Sequence, residues 1–217
     1  MRRAARGVIR ILIEGELDLD FNAAVDAAVA QQPATDDNQD SAREALYDFI
    51  VDRLRSYFVD SEAGYTTDMF EAVRARQPSS LIDFRARLQA VAQFITLEPA
   101  VSLAAANKRT ANILRQAEYD DAVLEVNLLS DDAEQVLYQA MQSAQNDIAP
   151  LLDERRYSDS LRRLAELLTP VDAFFDDVMV NVDDEAVRKN RLAWLTELRT
   201  LFLHVADISR VPPAHGY

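Results

Sequence analysis

The sequence of 217 residues contains no cysteine, two histidines, four glycines and seven prolines. The lack of cysteine excludes disulfide bonds and thiolate chemistry, and it argues against a structural zinc site because His204 and His215 are the two remaining nitrogen ligands. Few glycines and prolines favour long helices over β-hairpins. No apolar run approaches the roughly 18 residues that a membrane span needs. We therefore expect a cytoplasmic protein without a membrane partner.

Motifs that would carry catalysis are also missing. The sequence has no glycine-rich phosphate loop, no histidine paired with a plausible nucleophile and no paired-histidine metal motif. Acidic side chains are abundant, but their spacing suits a solvated helical surface better than a metal site. We expect no catalytic residue, no bound metal and no cofactor in this chain.

Apolar side chains recur with helical periodicity along most of the sequence. This pattern predicts an all-α protein with ten helices, over residues 2–14, 21–31, 41–60, 66–76, 81–95, 99–118, 131–152, 158–168, 170–181 and 184–208. Three start signals resemble capping boxes: Ser41 with Glu44, Ser80 with Asp83, and Thr169 with Asp172. The polar segments 31–41 and 76–80 are the best candidates for linkers.

Charge is segregated along the chain, whose net charge is -14. Between Arg74 and Gln116, seven basic side chains accompany two acidic ones, whereas Glu118 to Ser160 contains eleven acidic and two basic side chains. A basic region inside an acidic protein indicates a polyanion that is contacted in one place. Charge alone equally allows that these basic side chains neutralise acidic neighbours.

The segment LAAANKRTANILRQA, residues 103–117, lies in this basic region and contains no acidic side chain. A helical wheel predicts this core stripe: Leu103, Ala106, Ile113, Leu114 and Ala117. The opposite side carries Lys108, Asn112 and Arg115, and the two flanks carry Asn107 and Arg109. Cations beside amides can contact phosphates and base edges. The alternative is a solvated polar surface without a ligand.

A second group of interest lies in residues 173–209. The last predicted helix has an apolar stripe, and Arg191 projects from its middle. An unpaired buried charge costs several kcal/mol, so Arg191 needs a partner. Asp176 or Asp177, one helix earlier, is the predicted one. Arg191 is then either a structural ion pair, or a residue that orients a carboxylate or itself contacts RNA.

These segments resemble a known family. LAAANKRTANIL (103–114), RRYSDSLRRLAEL (155–167) and DAFFDDVMVNVDDEAVRKNRLAWLTELRTLFLHVADIS (172–209) resemble the carboxyl-terminal part of the bacterial glycyl-tRNA synthetase beta subunit. ARGVIRILIEGELDLD (5–20) and LYDFIVDRLRSYF (46–58) are also similar, in matching order. The resemblance implies a multi-helix bundle of the class I synthetase anticodon-binding type, related to that of arginyl-tRNA synthetase and preceded by a helical linker subdomain.

The implied domains are a linker subdomain at 1–76, with 1–32 as the remnant of an upstream domain, an anticodon-binding-like bundle at 77–209 and a tail at 210–217 without an assigned role. The family's Asp-Ala-Leu-Arg signature is not literal here. The segment IDFRARLQAV places Asp83 and Arg85 in the expected neighbourhood.

In function, the resemblance implies that the chain helps to hold glycine tRNA inside a heterotetramer. The alpha subunit uses ATP to make glycyl adenylate, so this part of glycine–tRNA ligase is expected to be non-catalytic and to bind no DNA. The similarity supports two groups of residues without saying which of them touch RNA. They are Asn107, Lys108, Arg109 and Asn112 in one helix, and Arg188, Asn190 and Arg191 in another.

The chemistry of the anticodon sharpens this expectation. Glycine codons begin with two guanines, so the anticodon contains two cytosines. A carboxylate can accept a hydrogen bond from the amino group of a cytosine, while Arg or Asn donates hydrogen bonds to the acceptor atoms of the same base. We predict Asp176 or Asp177 with Arg188 or Arg191 as the reader. The predicted phosphate contacts are Arg74, Arg85, Lys108, Arg109 and Arg115. The rival hypothesis is a helical scaffold for subunit assembly without direct RNA contact.

Overall fold

A computed structural model describes residues 2–31, 39–61, 64–117 and 124–212. This part of the chain forms ten α-helices and two 3-10 turns, at Val126–Leu128 and Ile208–Arg210, and it contains no strand. The helices are α1 (Arg2–Glu14), α2 (Phe21–Ala30), α3 (Gln39–Val59), α4 (Thr67–Arg74), α5 (Leu81–Phe94), α6 (Ala100–Gln116), α7 (Asp132–Asp153), α8 (Tyr157–Ala165), α9 (Leu168–Asp177) and α10 (Glu185–Leu203). The all-α fold class is confirmed. None of the described helices combines the length and the apolar character needed to cross a bilayer.

One of the three predicted helix starts is confirmed. The Ser80 hydroxyl accepts a hydrogen bond of 3.1 Å from the backbone N–H of Asp83 at the start of α5. The other two are wrong, because α3 already begins at Gln39, before Ser41, and α9 already begins at Leu168, before Thr169. Most of the predicted linker 31–41 lies outside the described residues, whereas 76–80 is a tight turn in which Gln77 has a φ of 46°.

Two helices end earlier than their periodicity predicts. Helix α9 stops at Asp177 because Val178 is extended, with φ -108° and ψ 119°. The residues that follow, VMVNVDD, contain three valines together with Asn181, Asp183 and Asp184, residue types that favour non-helical backbone. Helix α10 stops at Leu203, and the chain continues to the 3-10 turn Ile208–Arg210. This early stop of α9 brings the Met179 carbonyl within reach of Arg191.

The backbone contacts divide the chain into two compact units, Met1–Leu88 and Gln89–Tyr217. The division falls inside α5, whereas the sequence placed it between 76 and 77. In the first unit, Phe84 of α5 packs against α3 and α4: its ring centroid lies 6.1 Å from that of Phe58 and 4.8 Å from that of Phe70. This aromatic cluster explains why the first half of α5 belongs to the first unit.

The second unit is built around helices α6 and α7. Helix α7 packs against α8 and α9, while α6 packs against α9, α10 and the 3-10 turn Ile208–Arg210. Trp194 of α10 is buried and stacks on Phe174 of α9, with ring centroids 4.5 Å apart and an interplanar angle of 29°. This packing fixes α9 and α10 beside α6, where the sequence predicted the RNA contacts.

Candidate nucleic-acid interface

Helix α6 buries Leu103, as the helical wheel predicts, but the rest of its buried face differs from the predicted stripe. Asn107 and Thr110 are buried, whereas Ile113 and Leu114 are half-buried. The Asn107 amide donates a hydrogen bond of 3.0 Å to the Leu103 carbonyl, and the Thr110 hydroxyl donates one of 2.9 Å to the carbonyl one turn before it. Because these bonds satisfy both polar groups locally, they can be buried. The expectation that Asn107 flanks the exposed surface is wrong.

The exposed side of α6 carries the predicted basic residues. Lys108, Asn112 and Arg115 are exposed, and the Arg115 guanidinium donates a hydrogen bond of 3.1 Å to the Asn112 side-chain oxygen. Arg109 lies over the ring of Phe175 in α9, 4.4 Å from its centroid. Such a cation–π contact contributes about 0.5–1 kcal/mol at an exposed site. It ties the end of α9 to α6.

A groove of about 590 Å³ lies between the C-terminal half of α6 and the start of α10. The described residues that line it are Ile113, Gln116, Ala117, Asn181, Arg188 and Leu192. The structure thus brings Arg188 next to α6. Lys108 does not line this groove, since it lies about 140° around the helix axis from Ile113. Sequence reasoning missed Gln116 and Asn181, because an isolated exposed amide carries no signal of its own.

Arg191 is held by a buried polar network. Its side chain is 7% exposed and donates to Glu134 over 2.6 Å, to Asp131, and to the Met179 carbonyl over 2.8 Å. Glu134 is 1% exposed and also accepts the backbone N–H groups of Ser130 and Asp131, at 3.0 and 3.1 Å. The predicted pairing of Arg191 with Asp176 or Asp177 is therefore wrong. The spacing of Asp131 and Glu134, typical of a capping box, indicates a helix start but no partner for Arg191.

The carboxylates predicted as readers remain on the surface. Asp176 and Asp177 are exposed at the C-terminal end of α9, directly after Phe175. On α10, a hydrogen bond from Lys189 lowers the pKa of the exposed Glu185 carboxyl, and the charge of Arg188 adds to this effect. The start of α10 thus combines a carboxylate with guanidinium and ammonium groups.

Asn190 fixes the segment that precedes α7. It is buried, and its amide oxygen accepts the backbone N–H of Glu125 over 2.7 Å while its amide nitrogen donates to the Glu125 carbonyl over 3.1 Å. Asn190 and Arg191 therefore both hold this segment, and both point away from the solvent that Arg188 faces.

Replacing Asn190 with alanine should lower the free energy of unfolding of the second unit by about 1–3 kcal/mol, because the two Glu125 backbone groups lose their partner. Urea unfolding followed by circular dichroism measures the change. Asn181→Ala, at an exposed position, is the control and should stay within about 0.5 kcal/mol of the wild type. Equal stability of the two variants would contradict this role of Asn190.

The remaining predicted contacts, Arg74 and Arg85, belong to the first unit. Arg74 donates a hydrogen bond of 2.8 Å to Asp48. Burial lowers the pKa of Arg74, but the hydrogen bond to Asp48 and nearby acidic charges outweigh it and raise the pKa overall. Arg85 donates to the Ile13 carbonyl over 3.2 Å and lies 3.5 Å from Glu16. No group of His, Asp or Glu among the described residues could hold a metal ion.

The helical second unit with its exposed basic helix has the features of an anticodon-binding domain. Residues 103–208 match the family model of the DALR anticodon binding domain, which identifies this class directly. The matched stretch runs from within α6 to the 3-10 turn Ile208–Arg210. It begins after Asp83 and Arg85, so it does not support the expected place of the Asp-Ala-Leu-Arg signature.

Residues 1–75 match the family model of the glycyl-tRNA synthetase beta subunit. The chain is 50% identical over 212 residues to the glycine–tRNA ligase beta subunit of Pseudomonas aeruginosa (strain LESB58), a match that covers 96% of this chain and 30% of the relative. It is 43% identical over 212 residues to that of Chromohalobacter salexigens and 42% identical over 211 residues to that of Hahella chejuensis, which cover 97% and 96% of this chain and 30% of each relative. The chain thus spans about 30% of the length of these curated relatives. Over this part it is similar to the bacterial glycyl-tRNA synthetase beta subunits, as the resemblance indicated.

Proposed function

We propose that the second unit binds the anticodon arm of glycine tRNA in the groove between α6 and α10. The observation that carries this proposal is the placement of Arg188 in that groove, beside the C-terminal half of α6. The match to an anticodon-binding domain model over these helices supports it. So does the name of the relatives, glycine–tRNA ligase, which specifies the tRNA.

In this proposal, unpaired cytosines are read by a carboxylate and a guanidinium together. Asp176 accepts a hydrogen bond from the cytosine amino group, and Arg188 donates to the acceptors on the same base edge. Arg188 takes this role rather than Arg191, because the donors of Arg191 already bond to Glu134, Asp131 and Met179. Asp177 is the alternative carboxylate.

The backbone phosphates near the anticodon are contacted by the exposed cations of α6. Lys108, Arg109 and Arg115 supply charge without sequence preference, and Asn112 holds Arg115 in place. The buried residues Asn107, Asn190 and Arg191 act by fixing α6, α10 and the segment before α7. They position the surface and do not touch RNA.

For the full-length protein, we propose an assembly with the alpha subunit of glycyl-tRNA synthetase in the cytoplasm. ATP is used by that partner, and this chain carries neither a cofactor nor catalytic residues. Its contribution is positional: it prolongs the residence of the cognate tRNA while the reaction takes place on the other subunit.

A titration with two RNAs tests the proposal. The chain should bind glycine tRNA more tightly than the same tRNA with both anticodon cytosines replaced, by about 1–3 kcal/mol per lost base contact. Fluorescence anisotropy at two salt concentrations measures both affinities. Equal affinity for the two RNAs would contradict anticodon reading, and an affinity that does not depend on salt would favour the scaffold hypothesis.

Arg188→Gln and Asp176→Asn should each remove most of this discrimination between the two RNAs. Each variant should lose at least about fivefold in affinity for glycine tRNA and change little in affinity for the tRNA with replaced cytosines. Both residues are exposed, so the free energy of unfolding should change by less than about 0.5 kcal/mol. Arg162→Gln in α8, which also removes an exposed arginine, is the matched control. Full discrimination in both variants would rule out these two residues as the reader.

A further inference from the structure

A second basic surface lies in the first unit, where α1, α3 and α4 surround an open cleft of about 740 Å³. Its lining contains two acidic residues, one serine and five arginines, which are Arg3, Arg6, Arg53, Arg55 and Arg74. The charged side chains of this arginine cleft sum to +3, in a chain whose net charge is -14. The distribution of charge along the sequence does not indicate this cleft, because its arginines come from three separate segments.

Two of the five arginines are fixed by neighbouring groups. Arg53 donates a hydrogen bond of 2.8 Å to the Phe49 carbonyl, and its guanidinium lies 3.7 Å from the centroid of the Phe49 ring. Arg74 donates to Asp48 over 2.8 Å and lies 3.6 Å from Glu71. These contacts order both side chains before any ligand arrives, which reduces the entropy that binding would cost.

The other three arginines have no such anchor. Arg3, Arg6 and Arg55 are exposed, and no acidic group in the described part of the chain lies within ion-pair distance of them. Their mutual repulsion disfavours the empty cleft and would be relieved by an anion. A guanidinium presents paired donors that match the oxygens of a phosphate.

We propose that the arginine cleft binds the phosphodiester backbone of RNA, as a contact additional to the anticodon groove. A nucleic-acid strand fits better than a single phosphate ion, because the guanidinium groups come from three helices around an open cleft and a strand offers several phosphates in succession. The inference rests on the proposed function in one respect, that the ligand of this chain is RNA. It does not depend on anticodon reading.

The test compares two double variants of the chain. Arg6→Gln with Arg55→Gln removes two unanchored cleft arginines, and Arg10→Gln with Arg162→Gln removes the same charge from exposed positions outside the cleft. Binding of glycine tRNA and of an RNA hairpin without the glycine anticodon is measured between about 50 and 200 mM salt. The cleft variant should lower the slope of log affinity against log salt by about 1.5 for both RNAs. At about 0.1 M salt this corresponds to roughly 30-fold weaker binding, against less than about threefold for the control.

Equal salt slopes in the two double variants would overturn the proposal. Stabilisation of the wild type by inorganic phosphate, lost in the cleft variant without any change in RNA binding, would also overturn it in favour of a simple anion site. If the double variant does not fold by circular dichroism, Arg55→Gln against Arg10→Gln gives the same comparison with about half the change in slope. Failure of the anticodon proposal is seen separately, as equal binding of the two RNAs by the wild type.

Discussion

Replacing Arg191 with alanine should destabilise the second unit by about 3–5 kcal/mol, which is a large part of the stability of an average domain. The variant leaves Glu134, 1% exposed, as a buried carboxylate without its cation. It also removes the donor to the Met179 carbonyl, which ties the segment between α9 and α10 to the network. Urea unfolding of the wild type and the variant measures the difference.

Two further variants separate this effect from a loss of RNA contact. Arg188→Ala, one turn earlier on α10 and exposed, should change the free energy of unfolding by less than about 0.5 kcal/mol. Combining Arg191→Met with Glu134→Gln should recover part of the stability, because the buried charge is then removed with its partner. A stable Arg191→Ala protein that binds RNA weakly would contradict the structural role and return Arg191 to the RNA surface.

A triple variant in which glutamine replaces Lys108, Arg109 and Arg115 should bind RNA about 100-fold more weakly at 0.1 M salt. The reason is that the slope of log affinity against log salt falls by about 2 or more when three phosphate contacts are lost. The three side chains are exposed on α6, so the fold should persist. Discrimination between glycine tRNA and the tRNA with replaced cytosines should remain, since phosphate contacts carry no sequence information.

The matched control replaces three exposed arginines elsewhere, Arg10, Arg156 and Arg162, with glutamine and so makes the same change in net charge. It should lower RNA affinity by less than about threefold, because general charge acts at longer range and is screened by salt. Equal losses in the two triple variants would mean that α6 contributes only to the average charge of the protein. A triple variant of α6 that retains full affinity would exclude α6 from the interface.

The fold could largely be predicted from the sequence, because the apolar periodicity of these helices is strong. The errors have local physical causes. Asn107 was placed on the flank of the exposed side as a polar residue, but its amide donates to the Leu103 carbonyl one turn earlier and its side chain is buried. Helix α9 ends early because the β-branched Val178, directly after Asp177, adopts extended backbone.

The candidate site could be predicted less completely. Arg188 and α6 were both recognised from their residue types, and the structure does place them at one groove. The partners of Arg191 could not be found, because Asp131 and Glu134 are separated from it by 60 and 57 residues. The arginine cleft could not be predicted from the sequence for the same reason. Helical packing, rather than proximity in sequence, brings Arg6, Arg55 and Arg74 together.

Photo-crosslinking tests the central proposal, that unpaired anticodon nucleotides bind between α6 and α10, most directly. Glycine tRNA with a photoreactive base next to the anticodon cytosines is irradiated with the chain, and the linked peptides are identified by mass spectrometry. Crosslinks should fall at residues 113–117 and 181–192, and the Arg188→Gln variant should show fewer of them. Crosslinks confined to α7 or α8, with the groove untouched, would contradict the proposal.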